Sequence, residues 1–263
     1  MLEQALLEDL MDKAWPALER EVSGEWVLRA SEGVTQRANS VWPRVPSRDG
    51  QDSIARSVDA AALWYRSRRL PLIFQVFDDS RSARLNTVLD GQRFTRQSET
   101  RIMVRRADDI RPDDLRGATP AQGVELSDDP SREWLDLWWS VDGRGGEAEL
   151  SVARTILTAC PALYALVRDD DGVPAAVGRL ALVDGWGGIY SMATSVTHRR
   201  RGYGAKVLAA LLQAGSQRNL KGFWLLVTMA NEGAQALYSQ AGFTNRGGYL
   251  YRQAPLKRAP GGC

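Results

Sequence analysis

Apolar residues along this chain recur either with a helical period of about 3.6 or in short unbroken runs, and the alternation lays out most of its elements. Leu6, Leu7, Leu10, Met11 and Trp15 mark a helix expected over residues 2–18. Strands are expected at 25–30 and 34–42, joined through Glu32-Gly33 as a hairpin and stopped by Pro43. After a polar loop at 46–52, Ile54, Val58, Ala61, Ala62 and Tyr65 define one face of a second helix. A buried strand at 71–77 leads to a helix that Ser80 would cap, with Leu85, Val88 and Leu89 inside and Gly91 at its end. A strand at 100–105 closes this section. Residues 107–122 are charged and contain Pro112, Gly117 and Pro120, the pattern of a linker.

The second section predicts a short strand at 123–126, a tryptophan-bearing helix at 131–141, a loop at 142–146 and a helix at 147–158. Strands at 162–168 and 175–183 follow, then a turn at 184–188 and an apolar strand at 188–194. Val207, Leu208, Leu211 and Leu212 mark the next helix, 222–228 a short buried strand, and 231–243 a last helix left through Gly242. Asn231 suits its N-cap and Glu232 its first turn.

Between the strand at 188–194 and its helix lies Ser-Val-Thr-His-Arg-Arg-Arg-Gly-Tyr-Gly, residues 195–204. Strand, glycine-bearing basic loop and helix in this order aim loop amides and the positive end of a helix dipole at one spot. That is a seat for a phosphate or pyrophosphate, which Gly202 and Gly204 let approach closely and Arg199, Arg200 and Arg201 attract. Taken alone, the same loop also reads as a solvated basic turn.

Two motifs together carry a resemblance. Arg199-x-x-Gly202-x-Gly204 after Ala193-Thr194, followed by Asn231-x-x-Ala234-x-x-Leu237-Tyr238-x-x-x-Gly242-Phe243, resembles the GNAT superfamily of N-acetyltransferases over about residues 123–252. The resemblance implies an α/β (α+β) fold: a mixed, mostly antiparallel central sheet flanked by helices. It implies acetyl-coenzyme A as cofactor, with the pyrophosphate held by backbone donors from Arg199 to Ala205, Tyr203 among them. Met192, Ala193 and Thr194 would pair with the pantetheine arm as if it were an added strand, where the central strand and the next one splay. A backbone N–H there would stabilise the oxyanion. Asn231 would contact the cofactor, although capping alone explains it. Tyr238 falls on the position that protonates the departing thiolate; it also shares an apolar stripe with Ala234, Leu237 and Ala241.

The order strand, helix, strand, helix, Gly, Phe, strand in 34–105 repeats that of 189–251. We read the first as a GNAT-like copy without chemistry: its loop after Arg44 lacks Arg-x-x-Gly-x-Gly, and Asn86 and Thr87 fall near the place of the tyrosine. Any α/β segment could give the same order. The expected domains are a degenerate GNAT-like one at 1–118, a catalytic one at 119–258 and a disordered tail at 259–263.

Other groups narrow the chemistry less. Trp134 and Trp138, one turn apart, fit a core; Trp139 and Trp186 are candidates for a substrate pocket. Arg37 and Asn39 interrupt an apparent strand and, with Arg29, are the polar groups expected nearest an amine pocket; a solvent-facing edge explains Arg37 and Asn39 equally. Asp184 and Glu147 could serve as bases through a water, but no motif pins either. His198 reads as a loop residue beside the phosphate seat.

With 34 basic and 32 acidic residues, the charge balance disfavours a dedicated nucleic-acid binder. Cys160 and Cys263 make no disulfide framework, and one histidine argues against a metal site. No apolar run approaches the roughly 20 residues that span a bilayer, and the acidic amphipathic start is unlike a secretory signal. The expectation is a soluble cytoplasmic monomer or homodimer acetylating a small-molecule or protein amine. The alternative is a GNAT-shaped protein that senses acyl-coenzyme A without turnover.

Overall fold

A computed structural model describes residues 3–44, 50–107 and 123–255. The expected linker beyond Ala107, most of the polar loop at 46–52 and the expected tail lie outside the described residues. The chain forms two compact units, and each draws on both ends of the sequence. One holds Met1–Pro16 with Arg101–Arg246, the other Ala17–Thr100 with Gly247–Cys263. These packing units differ from the expected domains 1–118 and 119–258, a division taken up below as a proposal.

The first unit contains helix α1 (Gln4–Ala14), strand β6 (Val124–Ser127), helices α4 (Arg132–Asp142) and α5 (Glu147–Thr158), and strands β7 (Ala162–Arg168), β8 (Pro174–Val183) and β9 (Trp186–Thr194). Helix α6 (Tyr203–Gln217), strand β10 (Gly222–Thr228) and helix α7 (Glu232–Gln240) follow. Its sheet runs β10-β9-β8-β7-β6, antiparallel except for the parallel pair β9–β10. Alternation along β8 sorts the helices to two faces. A Cβ on Gly178 would meet Val207 and Leu211 of α6 and Met192 of β9. Its neighbour Arg179 faces the other way, among Trp15, Tyr164 and Tyr190. Ser131 caps α4 through the amide of Trp134, as its sequence position requires. Trp134 is buried and its indole N–H is shared between Ala165 O and Gly178 O, so the core reading of that residue holds.

Arg179 is fully buried, and among the described residues its hydrogen bonds run to no carboxylate. Its guanidinium donates to Ala14 O, the C-terminal and partly negative end of α1, and to Cys160 Sγ, and lies about 6 Å from three aromatic rings. Helix α1 is thereby tied to β8 by the charge it neutralises.

The second unit contains β1 (Glu19–Ser23), β2 (Trp26–Ala30), β3 (Trp42–Pro43), α2 (Gln51–Ser67), β4 (Ile73–Phe77) and α3 (Ala83–Gly91). It also takes the first part of β5 (Thr95–Arg106) and most of β11 (Thr244–Gln253), two strands that each begin in one unit and end in the other. Strand β4 pairs antiparallel with β11. Val41, just before β3, bridges Phe74 in parallel. Ile54, Val58, Ala61 and Tyr65 of α2 close over Phe74, Val76, Leu85, Leu89 and Phe94 as one core.

The expected strand at 34–42 and its hairpin with 25–30 are not formed. Strand β2 pairs instead with β1, which precedes it, and with the two-residue β3. The cause is Asn39: its carbonyl accepts the amides of Ser31 and Gly33, and its NH2 group donates to the carbonyls of Val34 and Thr35. A side chain that offers the backbone four local partners outcompetes a ladder. Among the described residues no helix is long and apolar enough to cross a membrane.

Candidate cofactor and catalytic site

The motif residues of the first unit converge at the C-terminal end of β9. Strands β9 and β10 pair only through Phe223↔Gly187, Trp224↔Gly188 and Leu225↔Ile189. Beyond Ile189 the edge of β9 that faced β10 carries no ladder partner, up to Thr194. The strands come close at the middle pair: a Cβ on Gly188 would lie 2.5 Å from the Trp224 ring and 2.6 Å from that of Tyr190. Through that gap Trp224 Nε1 donates to the Tyr190 hydroxyl at 3.0 Å.

Just past this point the β8–β9 register shifts. Arg179 pairs with Tyr190 and Val177 with Ala193, so two residues of β9, Ser191 and Met192, stand opposite Gly178. Ser191 has φ +52°, a left-handed conformation that costs a non-glycine residue about 1–3 kcal/mol. Bulges of this kind bend a strand and re-aim its side chains.

From Thr194 the chain passes through a short 3-10 turn, Val196–His198, to Arg199, Arg200 and Arg201, all exposed. Gly202 is the N-cap of α6 with φ +85°, and nothing lies within 4 Å of where its Cβ would be. The first intrahelical bond is Lys206 N to Gly202 O, which leaves the amides of Tyr203, Gly204 and Ala205 outside the helical ladder. No acidic residue occupies this first turn. Gly204 joins the two motifs: a Cβ there would be 3.4 Å from Thr194 Oγ1 and 4.0 Å from Leu237 of α7. The end of β9, the first turn of α6 and the inner face of α7 thus meet.

Helix α7 is capped by Asn231, whose side chain accepts the Ala234 amide at 3.1 Å. Gln235 Nε2 donates to the carbonyls of Thr228 and Met229 and fixes the turn before it. Tyr238 is 7% exposed and packs edge-on against Phe243. Burial first, and the Asp142 carboxylate second, push its phenol well above the ordinary value. The hydroxyl therefore stays protonated at neutral pH and can act as a donor.

His198 is buried and clamps the basic loop to the β7–β8 turn. Its Nε2 meets Asp169 Oδ2 at 2.8 Å, its Nδ1 lies near the hydroxyls of Ser195 and Thr197, and its ring stands edge-on to Tyr203. The hydrogen bond to His198 is the largest cause holding the Asp169 carboxyl below its usual range. The amides of Asp171 and Val173 also donate to Asp169. The sequence marked His198 as a loop residue but gave no sign of its partner, 29 positions away.

The aromatic and acidic candidates have neighbours of their own. Trp139 closes over the α4–α5 loop, where a Cβ on Gly143 would collide with its ring, and its Nε1 reaches Gly145 O at 3.3 Å. Trp186 begins β9, at the end away from Thr194, and lies against Gly222. Asp184 pairs with Lys13 at 2.6 Å, and Glu147 with Arg132, whose hydrogen bond lowers its pKa. Arg29, Arg37 and Asn39 belong to the second unit. There Asn39 is occupied by its own loop, and Arg29 is buried against Ser40, Gln75 and the Trp42 ring. Among the described residues no cluster of His, Cys, Asp and Glu could hold a metal ion.

Residues 4–252 match the family described as "Probable histone acetyltransferase Rv0428c C-terminal". The chain is 27% identical over 248 residues to the "Uncharacterized N-acetyltransferase YobR" of Bacillus subtilis, covering 94% of this chain and 96% of that one. Among solved structures, the GCN5-related N-acetyltransferase from Kribbella flavida has a TM-score of 0.68 at 19% identity, covering 100% of this chain and 97% of its own. A tandem GNAT protein from the clavulanic acid biosynthesis pathway has a TM-score of 0.61 at 15% identity, covering 83% and 76%. The family match runs through both sections, both motifs and the meeting point at Gly204, so the chain belongs to that acetyltransferase family and is an N-acetyltransferase of the GNAT superfamily.

Proposed function

We propose that the chain transfers the acetyl group of acetyl-coenzyme A to a primary amine, on a small molecule or a protein, by direct attack in a ternary complex. The observation that carries this reading is the meeting of β9, α6 and α7 at Gly204, beside a length of β9 edge with no ladder partner. The residues suit the group. Open space before Gly202, the unladdered amides of Tyr203, Gly204 and Ala205, and the exposed Arg199, Arg200 and Arg201 fit a pyrophosphate. The free edge of Met192, Ala193 and Thr194 suits an amide-bearing arm laid down as a strand, and Asn231, the cap of α7, would contact the cofactor.

Bound acetyl-coenzyme A would supply an acyl group activated as a thioester. Tyr238, kept protonated by burial, donates to the leaving sulfur. Asp184 and Glu147 are each held in an ion pair, and no residue is assigned as base. Trp139, near the end of α4 with its indole over the α4–α5 loop, is the aromatic candidate retained for the acceptor.

We further infer that 34–105 descends from the same half-fold as 189–251, so that 1–118 is a degenerate GNAT-like domain without a cofactor and 119–258 the catalytic one. Matching hydrogen bonds after α3 and α7 support this common descent. The test is calorimetry with acetyl-coenzyme A followed by a thiol-release screen over a panel of amines. One site per chain and release with at least one amine are expected. No binding overturns the reading; binding without release from any amine leaves a sensor.

A further inference from the structure

Among the described residues nothing uses the Ser191 hydroxyl: its Oγ is shut off from water and has no hydrogen-bond partner there, although the residue as a whole is partly exposed. It holds a left-handed conformation within a strand, at the register shift between β8 and β9, two residues beyond the last β9–β10 pair. Nearby polar groups are engaged with one another: Tyr190 with Trp224, and Ser195 with Thr197 and His198. Glycine would fill this position with neither the strain nor the orphaned donor. Residues held against their preferences in this way cluster at ligand clamps, and a buried polar group without a partner calls for a reason.

We propose that the Ser191 hydroxyl is a donor reserved for the acyl carbonyl oxygen of the thioester. The inference rests on the acetyl-coenzyme A reading above and assigns a residue that the family motifs do not include. A serine hydroxyl is a neutral donor and a poor base, so it fits the carbonyl oxygen rather than the ammonium of an acceptor. Engaging that oxygen would require the hydroxyl to turn about its one side-chain bond. The bulge gives the aim, because an in-register strand would send the side chain at this position directly to one face. As negative charge builds on the acyl oxygen during attack, the same hydrogen bond strengthens.

This assignment separates two ligands that differ only in the acyl group. Coenzyme A lacks the carbonyl, so the bond should appear as a preference for acetyl-coenzyme A of about two- to tenfold. Calorimetry on the full chain, with each ligand, measures it without reference to turnover. Ser191→Ala and Ser191→Gly should both bring acetyl-coenzyme A affinity down to that of coenzyme A and leave coenzyme A affinity unchanged. Glycine accepts the positive φ, so that variant folds even if alanine does not. In an amine assay, Ser191→Gly should lower kcat with the amine KM unchanged.

A wild type without the preference, or variants that keep it, overturns the inference and leaves the cofactor site standing. Loss of affinity for both ligands in the glycine variant overturns it as well, because the backbone rather than the hydroxyl would then be at work. A wild type that binds neither ligand overturns this inference and the proposed function together.

Discussion

Helices α3 and α7 end in the same way, and the similarity shows what one half of the chain has that the other lacks. Phe94 N donates to Leu89 O as Phe243 N does to Tyr238 O, and Arg93 N to Asp90 O as Gly242 N does to Ser239 O. Arg93 and Gly242 take the same left-handed turn, with φ +61° and +80°. This register places Leu89, not Asn86 or Thr87, where Tyr238 stands. The parallel bridge of Val41 to Phe74 answers the parallel pair β9–β10. At the helix starts the halves part. Both α2 and α6 have a glycine N-cap, but Gly50 has an ordinary φ of −68° and Asp52 sits in the first turn, whereas Gly202 is left-handed and the turn of α6 carries no acid. A carboxylate there opposes the anion that the dipole would attract. The scaffold is thus shared, and the chemistry differs at a few positions that packing does not fix.

The sharpest way to break this comparison is at its two equivalent core positions. Tyr238→Phe keeps the ring and should lower turnover by about 10²–10⁴-fold with little change in acetyl-coenzyme A affinity. Leu89→Met, at the matching place, should leave turnover alone and cost under about 1.5 kcal/mol of stability. Equal activity in the two variants would return Tyr238 to packing.

Next in size are two buried arginines. Arg105 donates to Ala241 O, at the end of α7, and Arg252 to Asn86, Asp90 and Phe94 O around α3. Each caps a helix from a strand that began in the other unit. Replacing either with Met removes bonds worth about 1.5–3 kcal/mol each, and both variants should lower Tm. Only Arg105→Met should also reduce activity per folded molecule, since α7 carries Tyr238.

The phosphate seat gives a smaller effect. Gly202→Asp should weaken acetyl-coenzyme A more than tenfold, or about 1.4 kcal/mol, while Gly50→Asp leaves affinity unchanged. Titration should saturate at one cofactor per chain; a stoichiometry of two would show a working seat in the first half.

The smallest effect concerns the loop clamp. His198 depresses the Asp169 pKa in the folded state, so this pair adds stability above the carboxylate's unfolded value and loses it as pH falls through the lower folded value. Asp169→Asn should therefore lower Tm at neutral pH, and the gap to wild type should close below about pH 4. A gap that does not change with pH would mean that the His198–Asp169 hydrogen bond is not what holds the loop. For all of these tests the chain must be whole. A cut near residue 118 would strip residues 1–16 and 101–106 from the unit holding Tyr238 and leave Arg179 without Ala14.

Local signals in the sequence determined a great deal. The helix faces, the Asn231 cap, the turn at Gly242 and the basic loop before α6 all depend on neighbours within a few positions, where periodicity and capping operate. The family followed from two such motifs in order. What failed locally failed for a local competitor: 34–41 has strand-like spacing, but the Asn39 amide takes the backbone partners a ladder would need. Only the tertiary structure decided where β9 and β10 stop pairing and that Ser191 turns left-handed there. Only it gave His198 its carboxylate and exchanged the ends of β5 and β11 between the units. Each of these depends on groups brought together from distant parts of the chain, and burial, register and charge pairing are properties of the packed molecule that no short stretch encodes by itself.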